Sequence, residues 1–180
     1  AKTGREIWHF YWRTSGGEYI GNRGMGMYGG WLYFGTPDGY LVSLDAATGR
    51  ERWHKQIADV KSNYYSSAAP VVINRHLIVG LSGDALDVPG WIESRDVETG
   101  DLQWQWYTTP RPGEPGAETW PNDFAREHGG GMTWVPCTYD PELNLIYLGT
   151  GNPQPVIAGK GRKGDNLFTD SVVALDADTG

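Results

Sequence analysis

The sequence predicts an all-β chain, and three observations carry that prediction. The first is composition: 26 glycines, 11 prolines and nine tryptophans in 180 residues. Glycine and proline interrupt helices, while tryptophan and tyrosine favour half-buried strands. The second is that 39% of the residues are hydrophobic and 13% aromatic, enough to bury a core and to set disorder aside. The third is an internal repeat. Thr-Gly recurs at Thr3-Gly4, Thr48-Gly49, Thr99-Gly100 and Thr179-Gly180, and after the first three a tryptophan stands four residues beyond the glycine, at Trp8, Trp53 and Trp104.

The spacing of the repeat names the architecture. From Thr3 to Thr48 is 45 residues, from Thr48 to Thr99 is 51, and from Thr99 to Thr179 is 80. A unit of about 45 residues with one long insertion suits a four-stranded β-propeller blade. Within each unit the strands read in order. "WLYFGT" (31–36) runs through "PDG" into "YLVSLD" (40–45), a hairpin bent at Asp38-Gly39. The same order returns as "HLIVGL" then "WIESRD", and as "NLIYLGT" then "SVVALD". Each second arm ends at an aspartate before the Thr-Gly turn, after which "RERWHKQ" or "DLQWQWYT" supplies a further strand. The aspartate is expected to cap that turn and the glycine to take a positive φ. The repeated Asp, Thr, Gly and Trp are therefore blade builders, with the indole filling the gap between sheets.

Charge and motif content exclude several functions. A net charge of −7 with a pI near 5.0 argues against nucleic acid or an anionic membrane surface as partner. Cys137 is the one cysteine and cannot form an internal disulfide. The residues contain no signal-peptide pattern and no apolar run long enough to span a membrane. Ser-His-Asp, CxxC, P-loop and dinucleotide patterns are missing, so a hydrolase or nicotinamide enzyme has no support.

"DAATGRERW" and its copies resemble the tryptophan-docking repeat of the pyrroloquinoline quinone (PQQ) dependent alcohol dehydrogenases. The most specific stretch is "TWVPCTYDPELNLIYLGTGNP" (133–153), which is similar to that family in residue order and spacing. The resemblance covers essentially the whole chain. It implies three blades of an eight-bladed ring with the quinone at its centre, so that residues 1–180 are a partial propeller domain truncated at both ends, completed by the remaining blades of a longer chain.

The resemblance also implies roles for particular residues. Trp134 matches the tryptophan that forms the floor beneath the planar quinone. Asn152, in "TGNP", matches the asparagine whose side-chain oxygen binds a metal ion, calcium or a lanthanide. Arg23, in "GNRGMGMYGG", matches the arginine that reaches the quinone oxygens, where a guanidinium would stabilise charge developing on reduction. Ser67, in "SSAAP", falls where a hydroxyl meets the cofactor's carboxylates. Gly83, in "LSGD", falls in a turn that passes close to the quinone. Against each stands a plain structural role: blade tryptophan, turn asparagine, surface arginine.

Two departures from the family pattern follow. Where many members read "GGAE", with the glutamate on the metal, this chain reads "LSGDALD", placing Ala85 in that register; Asp84, or second to it Asp87, is the candidate substitute. The adjacent cysteine pair found in many members is replaced near Gly17 and Glu18. The catalytic base is expected beyond Gly180. Of the remaining loop residues, His128 reads as a loop histidine, and Glu118 and Trp120 lie in the insertion expected over the funnel mouth.

The function implied is oxidation of a small alcohol, polyol or sugar by hydride transfer to the quinone C5, with the metal as Lewis acid. Electrons would leave to a c-type cytochrome or a membrane quinone, in the bacterial periplasm. The alternative is a non-catalytic propeller of the same repeat, a protein-binding scaffold such as the outer-membrane assembly lipoproteins.

Overall fold

The computed structural model describes residues 2–17, 21–83 and 87–180. The chain forms three antiparallel sheets, each a meander in sequence order. The first holds β1 (Gly26–Tyr28), β2 (Trp31–Gly35), β3 (Tyr40–Asp45) and β4 (Glu51–Gln56). The second holds β5 (Val71–Ile73), β6 (His76–Gly80), β7 (Trp91–Asp96) and β8 (Leu102–Tyr107). The third holds β9 (Thr138–Asp140), β10 (Leu145–Gly149) and β11 (Val172–Asp176). These are successive propeller blades, as the repeat predicts. A short α-helix, α1 (Asp123–Glu127), follows a 3-10 turn (Ala117–Thr119) in the long insertion, and neither was foreseen. Asn122 caps it by accepting from the Ala125 N–H at 2.8 Å.

In the middle blade the first two strands read as apolar runs, Val-Val-Ile and Leu-Ile-Val. In β6, Leu77 and Val79 face the first blade, sharing a core with Tyr33, Leu41 and Trp91. Ile78 faces the other way, sharing a core with Ile146, Leu148, Val173 and Leu175 of the third blade. A strand covered on both faces favours successive hydrophobic residues, as in β6, while β7 of the same blade also buries Glu93 and Ser94. In β11 only Val173 and Leu175 are buried, while Val172 is exposed, so burial alternates along the strand although its sequence, Val-Val-Ala-Leu-Asp, does not. Glu93, fully buried in β7, meets Arg95 Nε at 2.6 Å. Burial pushes its carboxyl up, and the guanidinium acts against that rise.

A meander puts its connections at two opposite ends. At one end lie the turns between first and second strands and the Thr-Gly turns between third and fourth, joined by a main-chain bond in every blade: Ala46 N to Gly30 O at 2.9 Å, Val97 N to Arg75 O at 3.3 Å, Ala177 N to Asn144 O at 3.0 Å. Asp45 Oδ1 accepts from the Thr48 N–H at 2.7 Å and hydroxyl at 2.9 Å. Asp96 and Asp176 do likewise with the main-chain N–H of Thr99 and Thr179 at 3.0 and 2.9 Å. Gly49, Gly100 and Gly180 follow at φ of 71°, 74° and 73°.

Those glycines have a second reason to be glycine. A Cβ on Gly49 would lie 2.4 Å from the Trp8 ring, on Gly100 3.0 Å from Trp53, and on Gly180 2.6 Å from Trp104. Each tryptophan thus docks on the Thr-Gly turn of the following blade, not on its own. A bulge aims it: the register slips after Ser43↔Trp53 and after Ser94↔Trp104, leaving Arg52 and Gln103 as the extra residues. The indoles of Trp8 and Trp104 donate to Ala46 O at 3.1 Å and Ala177 O at 3.0 Å. At the middle seam the equivalent carbonyl, Val97 O, is taken by the Tyr33 hydroxyl at 3.1 Å, and Trp53 Nε1 has no hydrogen-bond partner among the described residues.

Candidate functional site

The opposite end carries the chemistry-bearing loops. Arg23, Ser67 and Trp134 each lie a few residues before the first strand of a blade, β1, β5 and β9 respectively. Three equivalent connections therefore deliver three different side chains to one place. The first strands pack close: a Cβ on Gly26 of β1 would lie 2.8 Å from Pro70 O, just before β5.

Asn22 explains why Arg23 is held where it is. Its amide donates to Gly35 O at 3.0 Å and its Oδ1 accepts from Gly24 N at 2.7 Å, clamping the turn around the arginine. Arg23 N donates to Ser67 O at 3.1 Å, and Arg23 Nη1 donates to Ser67 Oγ. The guanidinium lies over the Trp134 ring, 4.9 Å from its centroid, a cation–π geometry. The buried Ser67 hydroxyl also meets Ser82 Oγ at 2.7 Å. Ser82 in turn pairs with Tyr65 through main-chain bonds of 3.0 and 3.3 Å. The second and third blades are clasped in the same region. Thr133 N donates to Leu81 O and Leu81 N to Thr133 Oγ1, both at 3.1 Å, so the residue before Trp134 is fixed to the middle blade.

Gly83 is buried at φ 152°, and a Cβ there would stand 3.3 Å from Asn63 O, Met132 Cε and Val88 Cγ2, so the turn is closely packed. Asn152 is exposed and tied to the segment before Trp134: Gly131 N donates to its carbonyl at 3.0 Å, and Gly151 N to Met132 O at 2.8 Å. Its Nδ2 donates to Asp170 Oδ1 at 3.4 Å. Asp84 and Ala85 lie outside the described residues. Asp87 is engaged elsewhere, with Oδ2 3.1 Å from His128 Nδ1, which pairs the second carboxylate candidate with the loop histidine. The remaining insertion residues are structural: Trp120 is buried and donates to Leu167 O at 2.6 Å, and Glu118 accepts from Gly116 N at 3.0 Å.

Sequence reasoning missed Asn22, Ser82 and Asp170, single polar residues in loops without a pattern. It also read Asp38 as a bend. Asp38 is buried and accepts from Trp12 Nε1 at 2.8 Å, Ser15 N at 2.8 Å and Thr36 Oγ1 at 2.6 Å. Burial pushes its carboxyl up, but these bonds outweigh it and hold the group below the ordinary carboxylate range. Burial pushes the Cys137 thiol up to about 11, which makes it a poor nucleophile.

The donor set suits a planar, anionic quinone and an oxygen-seeking cation. Trp134 is a half-buried indole with the Arg23 guanidinium over one ring face, and Asn152 offers an amide oxygen to which no described residue donates. Among the described residues no three His, Cys, Asp or Glu side chains form a metal cage. A cation at this mouth would therefore take Asn152 and oxygens from outside the described cluster.

Fold and site together define a propeller of the quinone-dependent dehydrogenase class. All of residues 1–180 match the family described as "PQQ: Glucose/ethanol/alcohol dehydrogenase, beta-propeller domain", and the chain belongs to it. It is 37% identical over 202 residues to quinohemoprotein alcohol dehydrogenase ADH IIB of Pseudomonas putida, covering 100% of this chain and 29% of that one. Among solved structures, a europium-containing methanol dehydrogenase superposes with TM-score 0.84 at 33% identity, over 89% of this chain and 31% of that one. The quinohemoprotein alcohol dehydrogenase of Comamonas testosteroni superposes with TM-score 0.79 at 39% identity, over 89% and 26%. The chain spans about a third of the length of the curated relatives it matches.

Proposed function

We propose that the protein carrying this chain is a PQQ-dependent dehydrogenase that oxidises an alcohol, polyol or sugar in the bacterial periplasm, assisted by calcium or a lanthanide. We assign its electron acceptor to a c-type cytochrome or a membrane quinone. Residues 1–180 are a partial propeller domain within it, and the remaining blades supply the general base. The observation that carries this reading is the Arg23 guanidinium held over the Trp134 indole and anchored on Ser67.

A bound quinone would supply the hydride acceptor and a bound metal ion a Lewis acid. The chain's own residues bind and orient. Trp134 supplies the rigid face on which a fused ring stacks. Arg23 brings a fixed positive charge to the side of that ring, where negative charge develops on reduction. Ser67 acts chiefly through Arg23, since its hydroxyl already holds the guanidinium and Ser82. Gly83 keeps its turn free of a side chain. Asn152 supplies an oxygen to the cation, with Asp84 the candidate carboxylate.

The test is PQQ binding and dye-linked alcohol oxidation by the complete protein, with and without calcium, beside Trp134→Ala. Turnover is expected to require PQQ, and the variant to bind the quinone about 10- to 100-fold more weakly, from the lost stacking and burial. A folded complete protein that neither binds PQQ nor turns over across alcohols, aldoses and metals would instead be a protein-binding scaffold.

A further inference from the structure

We propose that Asp170 is a positioning residue for the metal: its carboxylate turns the Asn152 amide so that the carbonyl oxygen, and not the NH2, faces the cation. The inference rests on the quinone-and-metal reading above.

Asn152 and Asp170 stand at the two ends of one long loop between β10 and β11. Its ends are pinned together: Thr150 N donates to Ser171 O at 2.9 Å, Ser171 N to Thr150 Oγ1 at 3.0 Å, and Asp170 N to Gly151 O at 2.9 Å. Asp170 is held at φ 48°, a left-handed conformation that aspartate tolerates better than most residues. The Asn152 main chain is fixed as well, by the bond from Gly131 N at 3.0 Å. What stays open is which end of its amide points which way, and the two ends differ in kind: the oxygen can bind a cation and the NH2 cannot.

Asp170 decides the matter. An ionised carboxylate only accepts hydrogen bonds, so it must be met by the NH2. Asn152 Nδ2 donates to Asp170 Oδ1 at 3.4 Å, and no described residue donates to Asn152 Oδ1. The amide oxygen is thereby directed away from the carboxylate before any metal arrives. Outer partners that orient a metal ligand in this way are commonly worth 10- to 100-fold in affinity.

The experiment uses the complete protein, titrated with europium(III) and followed by luminescence, with bound water counted from lifetimes in H2O and D2O; calcium competition gives the second affinity. Asp170→Ala, Asp170→Asn and Asn152→Ala are compared. Positioning by hydrogen bond predicts that Asp170→Ala weakens both ions about 10-fold and that Asp170→Asn, whose amide can accept from the Asn152 NH2 or donate to its oxygen, falls between Asp170→Ala and wild type. Neither Asp170 variant gains a metal-bound water, and PQQ binding read by tryptophan fluorescence is unchanged. An added water in both Asp170 variants, or Asp170→Asn weaker than Asp170→Ala, would mean direct ligation or a charge effect and overturn the proposal. Wild-type affinity in Asp170→Ala beside a loss in Asn152→Ala overturns the positioning alone. No loss in Asn152→Ala overturns the metal reading and the positioning with it.

Discussion

At the scale of single residues, the Thr-Gly turn glycines are constrained twice, by conformation and by contact. Gly49 takes φ 71° and leaves no room beside Trp8, whereas Gly113 takes φ 84° with nothing within 4 Å of a Cβ. Gly49→Ala is therefore expected to cost about 2–4 kcal/mol, strain plus displacement of an indole. Gly113→Ala should cost only the backbone term, about 1 kcal/mol. Urea melts of the two variants check the difference, and equal costs would mean that the docking contact carries nothing. The turn was legible in the sequence because Asp, Thr, Gly and Trp recur in step. The site residues were legible only through family resemblance, since Arg23, Ser67 and Trp134 share no residue type. Asn22, Ser82 and Asp170 were not legible, because a lone polar side chain acquires meaning only from the loop it faces.

Among elements, the seams between sheets carry most of the interaction that makes three meanders one body. Each seam is a shared apolar core closed by a tryptophan on the neighbour's turn. At the second seam Trp104 is buried and donates to Ala177 O. Trp104→Phe keeps most of the apolar surface but leaves that buried carbonyl without its donor, an expected loss of about 1–3 kcal/mol. Trp104→Ala adds a cavity, for about 3–5 kcal/mol. Thermal unfolding that showed no difference between the two would argue against the hydrogen bond. The recurrence of Gly and Trp did not reveal that each tryptophan serves the next blade. Trp53 and Gly100 are far apart along the chain, and only the packed blades bring them together. The strand order was readable because the paired strands recur in step with the Thr-Gly turn, whereas the pairing of Asp87 with His128 joins two loops that have no such pattern.

For the whole molecule, acid is the predicted solvent weakness. Hydrogen bonds from Thr48 hold Asp45 below the ordinary carboxylate range, and those from Thr179 do the same for Asp176. Burial raises Asp96, but bonds from Glu98 N, Arg75 and Thr99 N outweigh it and lower the group. A carboxyl depressed on folding contributes stability above its unfolded value and loses it as pH falls through the folded one. The melting temperature is therefore expected to be level near neutrality and to fall below about pH 4, as calorimetry across that range would show. A flat profile would mean that the capped turns open without cost.

The two ends of the blades also divide labour. The docking tryptophans and capped turns lie at one end, while Arg23, Ser67, Trp134 and Asn152 arrive on connections at the other. One such connection crosses from β4 to β5 over residues 57–70 and the next from β8 to β9 over 108–137, yet each seam is closed by a tryptophan against the next blade's Thr-Gly turn. The molecule is in this sense a chassis with exchangeable fittings: its mouth can be re-equipped, lengthened or stripped of chemistry without loosening the bolts that hold the frame.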